Sequence, residues 1–234
     1  AITSLNLLMG CLSIVFSARG DFHMAGSFIF AAAVCDFFDG FTARLLKAYS
    51  PIGLQLDSLA DVVSFGVAPA MMLFYSNVFN YVPVSAITWL LASVPFLIAI
   101  FSALRLAKFN IDERQTESVI GLPVPACALL GASAIMYSQT HFTSFITNEY
   151  TIAASSIILS LLLVSEIPMF SLKIKKQDGV SILQKYKVQF VFLLASLLLI
   201  ILFRFGGIAM SMLLYIAISI VNYLVMPKSI KTGK

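Results

Sequence analysis

Charged residues are scarce in this chain of 234 residues. Only 11% of the residues are Asp, Glu, Lys or Arg, whereas soluble domains carry about a quarter. The mean hydropathy is +0.97, and 20 phenylalanines add further apolar surface. This composition excludes an ordinary soluble domain and predicts a polytopic membrane protein.

Cysteine and histidine are also rare, with 3 and 2 residues. Cys11, Cys35 and Cys127 stand apart in apolar runs without ligand-like spacing. We therefore expect neither a disulfide framework nor a zinc site. The net charge is only +4, and the basic residues flank apolar segments, where anionic lipid headgroups attract them. Nothing in this pattern favours nucleic acid binding.

Apolar segments recur along the whole chain, each near the roughly 20 residues that cross a bilayer. We expect an all-α, polytopic membrane helix bundle of about eight transmembrane helices. Residues 1-18 lack a basic n-region and a small-residue cleavage site, so we predict a span there rather than a signal peptide. The predicted spans are about 2-18, 23-48, 54-76, 82-107, 121-141, 150-168, 187-204 and 207-226.

Lysine and arginine are distributed unevenly between the two sides that these spans define. One side collects thirteen of them and the other only Arg19 and Arg204. Because cytoplasmic loops carry the excess of Lys and Arg, we expect both termini and the turn after the second span to be cytoplasmic. The thirteen are Arg44, Lys47, Arg105, Lys108, Arg114, Lys173, Lys175, Lys176, Lys185, Lys187, Lys228, Lys231 and Lys234.

A basic segment divides the chain into two parts. Residues 1-170 are predicted to form a six-helix catalytic membrane core, and 171-186 a basic cytoplasmic loop. Residues 187-234 are predicted to form a transmembrane hairpin with a basic tail. The sequence has no internal repeat, so the inverted-repeat plan of many transporters has no support.

Four aspartates lie inside apolar stretches. Asp36 and Asp39 are three residues apart and Asp57 and Asp61 four apart, so each pair shares one helix face. The turn Tyr49-Ser50-Pro51 makes the two helices antiparallel neighbours, which predicts that all four carboxylates converge. Because ionised groups within a membrane are costly, we expect a bound cation. An all-oxygen ligand set indicates Mg²⁺ or Mn²⁺.

The residues beside these acids suggest what the metal site serves. Small side chains at Gly40, Ala43 and Gly53 leave room for a ligand, and Arg44 is suited to hold a phosphate. Two metal ions and an arginine would clamp a pyrophosphate, which indicates transfer of a substituted phosphoryl group. We predict Asp61 as general base. The alternative is structural: Arg44 pairs with Asp36 or Asp39, and the glycines are packing points.

The whole string resembles the signature of the CDP-alcohol phosphotransferase family. It reads Asp36-x-x-Asp39-Gly40-x-x-Ala43-Arg44, eight residues, then Gly53-x-x-x-Asp57-x-x-x-Asp61. The resemblance implies a six-helix membrane enzyme, usually homodimeric, that moves a phosphatidyl-type group from a CDP-linked donor to an alcohol and releases CMP. It also implies a dinuclear metal site at Asp36, Asp39 and Asp57, with Asp61 as metal ligand and base, and nucleotide entry beside Gly40, Ala43 and Gly53.

Flanking segments narrow the expected substrates. The segments 58-69, 105-110 and 121-125 resemble those of membrane-integral phosphatidylserine synthases within that family. This likeness implies CDP-diacylglycerol as donor and L-serine as acceptor, with glycerol phosphate or inositol as alternative acceptors. A divalent-cation transporter is the alternative of another class.

Polar residues near these segments are candidate substrate contacts. Arg105, Lys108 and Asn110 are suited to bind the serine carboxylate, or they are interfacial anchors. Asn6 either lines the donor pocket or bonds to a neighbouring helix. Ser64, three residues after Asp61, shares its face and is a candidate donor contact.

Overall fold

The computed structural model describes residues 2–46, 50–80, 85–111, 120–141, 144–169 and 187–225. These ranges are almost entirely helical, and their single β-type pairing is an isolated bridge between Ile120 and Pro168. The predicted all-helical, polytopic bundle is confirmed. The predicted basic loop 171-186 lies outside the described residues.

Eleven α-helices and one π-helical segment make up the described ranges. The π-helical segment, Val62–Val67, continues α3 directly into α4. The helices are α1 (Ile2–Ala18), α2 (Phe22–Leu46), α3 (Pro51–Asp61), α4 (Ala68–Asn80), α5 (Ala86–Ser93), α6 (Phe96–Ile111), α7 (Val124–His141), α8 (Ser144–Thr147), α9 (Glu149–Val164), α10 (Lys187–Phe203) and α11 (Phe205–Val225).

Four helical stretches of the described chain are long and apolar enough to cross a membrane. They are Phe22–Leu46, Pro51–Phe79, Ala86–Ile111 and Phe205–Leu224. Shorter apolar helices occupy other predicted spans, at Ile2–Ala18, Glu149–Val164 and Gln189–Phe203. The protein is therefore an integral membrane protein, while the count of eight crossings stays a prediction.

A helix cap fixes where α3 begins. The Gly53 N–H donates to the Ser50 hydroxyl over 3.0 Å, and Pro51 occupies the first helical position. Proline favours this position because its fixed φ suits the helix and it lacks an N–H. A Cβ at residue 53 would lie 2.8 Å from Ser50 Oγ. Gly53 therefore makes room for the cap that sets the position of Asp57, one turn further on.

Helix α1 presents its polar side to the interior of the bundle. Its buried residues are Thr3, Asn6, Gly10, Ser13 and Ser17. They recur every three or four residues, so they form one stripe along the helix. Leucines on the opposite side are exposed. This arrangement suits lipid outside and a polar site inside.

The π-helical segment lies at the centre of the bundle, directly after Asp61. Its wider turn shows in the N–H of Ala68, which donates to the carbonyl of Val63, five residues earlier. Gly66 in this segment packs against α6, because a Cβ there would lie 3.1 Å from the Ser102 Cβ. Such segments are rare and frequently occur at functional sites.

Candidate active site

Three aspartates from two helices converge at one point. Asp36 comes from α2, and Asp57 and Asp61 come from α3. Each offers a carboxylate oxygen, and these oxygens all lie within 4.8 Å of one another. Asp61 is buried and the other two are partly buried. The predicted convergence across the α2–α3 turn is present for these three.

The donor chemistry of this group fits a hard divalent cation. Ligand oxygens about 2.1 Å from an octahedral Mg²⁺ lie at most about 4.2 Å apart, close to the spacing here. Among the residues that the structure describes, no Lys or Arg forms an ion pair with these carboxylates; the one ion pair is between Lys108 and Glu166. Three carboxylates together need a positive charge, and a metal ion is the chemically matched source.

Asp39 lies outside the group of three. Its carboxylate accepts a hydrogen bond from the Thr3 hydroxyl. Thr3 lies on α1, outside the aspartate motif of residues 36–61, so a third helix helps to position Asp39. Its role as a fourth metal ligand stays a prediction. The sequence analysis missed Thr3, although the polar stripe on α1 is a signal that would have found it.

Asn6 and Ser64 connect α1 to the predicted base. The Asn6 side-chain amide donates to Asp61 Oδ1 over 3.1 Å. The Ser64 hydroxyl donates to the backbone carbonyl of Asn6 over 2.9 Å. Both side chains are fully buried. Asn6 Oδ1 is also buried and has no hydrogen-bond partner within the described ranges. Of the two roles that the sequence left open for Asn6, the structure contains the helix-to-helix hydrogen bond.

Gly10 allows this contact, and we predict a clear effect of Gly10→Ala. The added Cβ would lie 2.5 Å from Ser64 Oγ and 2.8 Å from Ser64 Cα. Because the second contact is to backbone, α1 must shift and draw Asn6 away from Asp61. Overpacking of this kind costs about 1–3 kcal/mol, so we expect a lower melting temperature in detergent, together with reduced turnover.

The matched control for this change is Gly131→Ala on α7. That Cβ would lie 3.7 Å from the Leu73 Cδ1, an ordinary contact, so stability and turnover should stay near wild type. If Gly10→Ala kept the melting temperature and the turnover of the wild type, the close approach of α1 to Ser64 would not be needed for stability or activity.

Gly40, Ala43 and Arg44 lie on the cytoplasm-directed part of α2 in the predicted orientation. Arg44 is exposed, and its Nε donates to the Gly40 carbonyl over 2.8 Å. A Cβ at Gly40 would meet nothing closer than the Arg44 guanidinium at 3.8 Å, so the face beside Asp39 is open. The structural alternative, an Arg44 ion pair with Asp36 or Asp39, is absent from the described part of the chain.

Arg105 is a buried cation with few partners. Its side chain lies on α6, and the residue is only 8% exposed. Its Nη2 donates to the Gly121 carbonyl at 3.5 Å, while its buried Nε has no partner among the described residues. A guanidinium carries five N–H donors, so the buried Nε–H at least is left to donate to an anion.

Gly121 holds the carbonyl that Arg105 contacts. Its φ is +75°, and a Cβ there would lie 2.6 Å from the carbonyl oxygen of Leu163 and 2.9 Å from that of Ser165. Only glycine combines this conformation with such close backbone approach. The end of α9 thereby fixes the segment that supports Arg105, a role that the sequence analysis did not assign.

The packing of α6 against the π-helical segment that continues α3 places Arg105 at the depth of the aspartates. Ser102 lies against Gly66, and Asn110 Nδ2 donates to Ser58 Oγ over 2.9 Å. Ser102 to Asn110 and Gly66 back to Ser58 each cover eight residues, so the two helices run antiparallel in register. Arg105 is three residues past Ser102 and is therefore level with Val63, which is two residues after Asp61 in the chain.

The three predicted serine-binding residues do not form one cluster. Lys108 is exposed and pairs with Glu166 over 3.7 Å. Asn110 is tied to Ser58, next to Asp57. Arg105 alone is buried at the depth of the carboxylates, so it is the strongest of the three candidates.

Comparison with known proteins gives the family. The family model described as CDP-alcohol phosphatidyltransferase matches residues 1–165. The chain belongs to this family. The match covers helices α1 to α9 and includes every aspartate of the site, so the protein is a membrane enzyme of CDP-alcohol chemistry. Family members depend in general on a metal, which agrees with the carboxylate group on α2 and α3.

Curated relatives carry a narrower name. The CDP-diacylglycerol–serine O-phosphatidyltransferase of Bacillus subtilis strain 168 is 38% identical over 166 residues, covering 71% of this chain and 85% of that protein. The protein of the same name from Helicobacter pylori strain 26695 is 32% identical over 167 residues, 70% of this chain and 68% of its own. That from Methanocaldococcus jannaschii is 35% identical over 167 residues, 71% and 70% of the two chains.

Proposed function

We propose that this CDP-alcohol phosphatidyltransferase moves the phosphatidyl group of CDP-diacylglycerol to L-serine, giving phosphatidylserine and CMP. The observation that carries the proposal is the convergence of Asp36, Asp57 and Asp61 at the depth of the buried Arg105. This pairs a site for a diphosphate with a site for a small anion. The names of the relatives support the same substrates.

Asp61 would act as the general base. The serine hydroxyl gives its proton to the Asp61 carboxylate while its oxygen attacks the phosphorus that bears diacylglycerol. The bond from that phosphorus to the bridging oxygen breaks, and CMP leaves with the electron pair. Asn6 donates to Asp61 Oδ1, which fixes the orientation of the carboxylate and leaves the other oxygen for the proton.

The donor would be held between α2 and α3. Asp36, Asp39, Asp57 and Asp61 are suited to bind two divalent cations, Mg²⁺ or Mn²⁺, which would offset charge on the attacking and leaving oxygens. The open face at Gly40 and Ala43 would take the nucleotide, with Arg44 on a phosphate. In the structure Gly53 serves the Ser50 cap, so its proposed contact with the nucleotide would be through the backbone.

The remaining features of the proposal come from the charge pattern and the family resemblance. The Lys and Arg distribution supports an active site and both termini on the cytoplasmic side of the cytoplasmic membrane. A homodimer follows from the resemblance. The division into a core of residues 1-170 and a hairpin of residues 187-234 is supported by the family match, which ends at residue 165.

The test is CMP release from CDP-diacylglycerol and Mn²⁺ with serine, glycerol 3-phosphate or inositol as acceptor. We expect release with serine, and we expect Arg105→Gln to raise the KM for serine by about 10- to 100-fold. A hydrogen bond to a charged group contributes about 1.5–3 kcal/mol, and about 1.4 kcal/mol is a factor of ten. The KM for CDP-diacylglycerol should change little.

Arg19→Gln is the control, because Arg19 is exposed and contacts the Phe16 ring at the far end of α1. It should leave both KM values unchanged. CMP release with inositol or glycerol 3-phosphate but not with serine would refute the proposed acceptor. An unchanged serine KM in Arg105→Gln would remove Arg105 from the acceptor site.

A further inference from the structure

The last two helices lie beyond the family match, yet one of them packs on the catalytic bundle. Helices α10 and α11 form a hairpin, and α11 lies along α7. Gly206 at its start meets α7 closely, because a Cβ there would lie 2.6 Å from the Tyr137 ring. The neighbouring Phe205 ring also contacts His23 and Phe30 of α2. The hairpin is thus seated on two helices of the core.

The register of α11 brings Tyr215 to the depth of Arg105. Since α11 starts beside the final turns of α7 and packs along it, the two helices run antiparallel. Tyr215 is nine residues after Gly206, and Ala128 is nine residues before Tyr137. At equal rise per residue, Tyr215 is level with Ala128 and its neighbour Cys127.

A second observation places the same residues near one another. Arg105 lies within electrostatic range of both Tyr215 and Cys127. Tyr215 is half-buried, and its ring lies 6.2 Å from that of Phe192 on α10, which limits its movement. The Arg105 residue is buried, and its Nε has no hydrogen-bond partner among the residues that the structure describes. The phenol of Tyr215 and the Arg105 guanidinium therefore lie near each other, and an anion bound between them could receive hydrogen bonds from both.

We propose that Tyr215 is a specificity-determining residue that donates a hydrogen bond to the anionic group of the acceptor held by Arg105. The hairpin would then form one wall of the acceptor site, supplied by a part of the chain outside the family match. This inference rests on the proposed function. The chemistry that it requires is a small alcohol bearing a carboxylate or a phosphate, and the acceptor assay separates these two.

The test is Tyr215→Phe in the full-length protein, which keeps the ring and removes only the hydroxyl. We expect the KM for serine to rise about tenfold, as for loss of a hydrogen bond to a charged group. The kcat, the KM for CDP-diacylglycerol and the melting temperature should stay near wild type. Tyr75→Phe is the control: Tyr75 is also half-buried with ring contacts, to Phe74 and Phe79, but lies on α4.

Other outcomes separate this inference from the proposed function. An unchanged serine KM in Tyr215→Phe, or a fall in kcat and melting temperature without a KM change, would overturn the role of Tyr215. If the wild-type protein used glycerol 3-phosphate and not serine, the proposed acceptor would be wrong. The KM of Tyr215→Phe for glycerol 3-phosphate would then test the role of Tyr215, and an unchanged value would overturn it. No CMP release with either anionic acceptor would overturn both.

Discussion

Asp61→Asn should lower the rate of CMP release by about 10²–10⁴-fold, the usual contribution of a general base. The asparagine has nearly the same shape, and its carbonyl oxygen can still accept the hydrogen bond that the Asn6 amide donates to Asp61 Oδ1. The packing of α1 on α3 should therefore persist. The measurement is kcat with CDP-diacylglycerol and serine, accompanied by Mn²⁺ binding, which should be largely preserved because the family resemblance assigns the two metal ions mainly to Asp36, Asp39 and Asp57.

Asp21→Asn is the matched control for this change. Asp21 is exposed, and its Oδ1 accepts the N–H of Met24 at the start of α2, a cap that asparagine also provides. Its kcat should be that of the wild type. Substantial turnover in Asp61→Asn would mean that another group accepts the serine proton.

Asp57→Asn should act first on the metal. It replaces one of the three converging carboxylates with a neutral amide, which removes both a charge and a preferred ligand. Even changes to groups that only orient metal ligands cost about 10–100-fold in affinity, so the loss of a direct ligand should be at least as large. We expect the Mn²⁺ dissociation constant, followed by the paramagnetic resonance signal of free Mn²⁺, to rise accordingly.

Because this readout needs no turnover, it separates the two aspartates. Asp57→Asn should lose metal affinity and nucleotide binding together, whereas Asp61→Asn should lose turnover and keep most of its metal affinity. Equal Mn²⁺ affinity in Asp57→Asn and the wild type would contradict the assignment of this carboxylate group as the metal site.

The motif was predictable because its geometry is local. Residues three and four apart share a helix face, and the segment Tyr49-Ser50-Pro51 predicts a short turn, so the meeting of Asp36 with Asp57 and Asp61 was predictable from the spacing together with this turn. Hydropathy likewise predicted helices at the right places, since backbone groups within a bilayer must be satisfied inside each segment.

What the sequence did not reveal depends on contacts between distant residues or on unusual backbone. The π-helical turn Val62–Val67 has no distinctive composition. The Thr3 contact with Asp39 spans 36 residues. Arg105 was predicted to bind the acceptor together with Lys108 and Asn110. In the structure Lys108 pairs with Glu166 and Asn110 donates to Ser58. The position of Tyr215 depends on how α11 packs along α7, and the hydrophobic periodicity of the sequence does not show which helices pack together.

The polar stripe of α1 has a consequence for assembly. Asn6 finds its partners at Asp61 and Ser64, which are 55 and 58 residues further along the chain. A side-chain amide without a hydrogen-bond partner in hydrocarbon costs free energy. Helix α1 is therefore less stable in the bilayer while it is alone. Its stable position in the bilayer is reached only after the chain has been synthesised through the π-helical segment, which directly follows Asp61 of α3 and supplies Ser64.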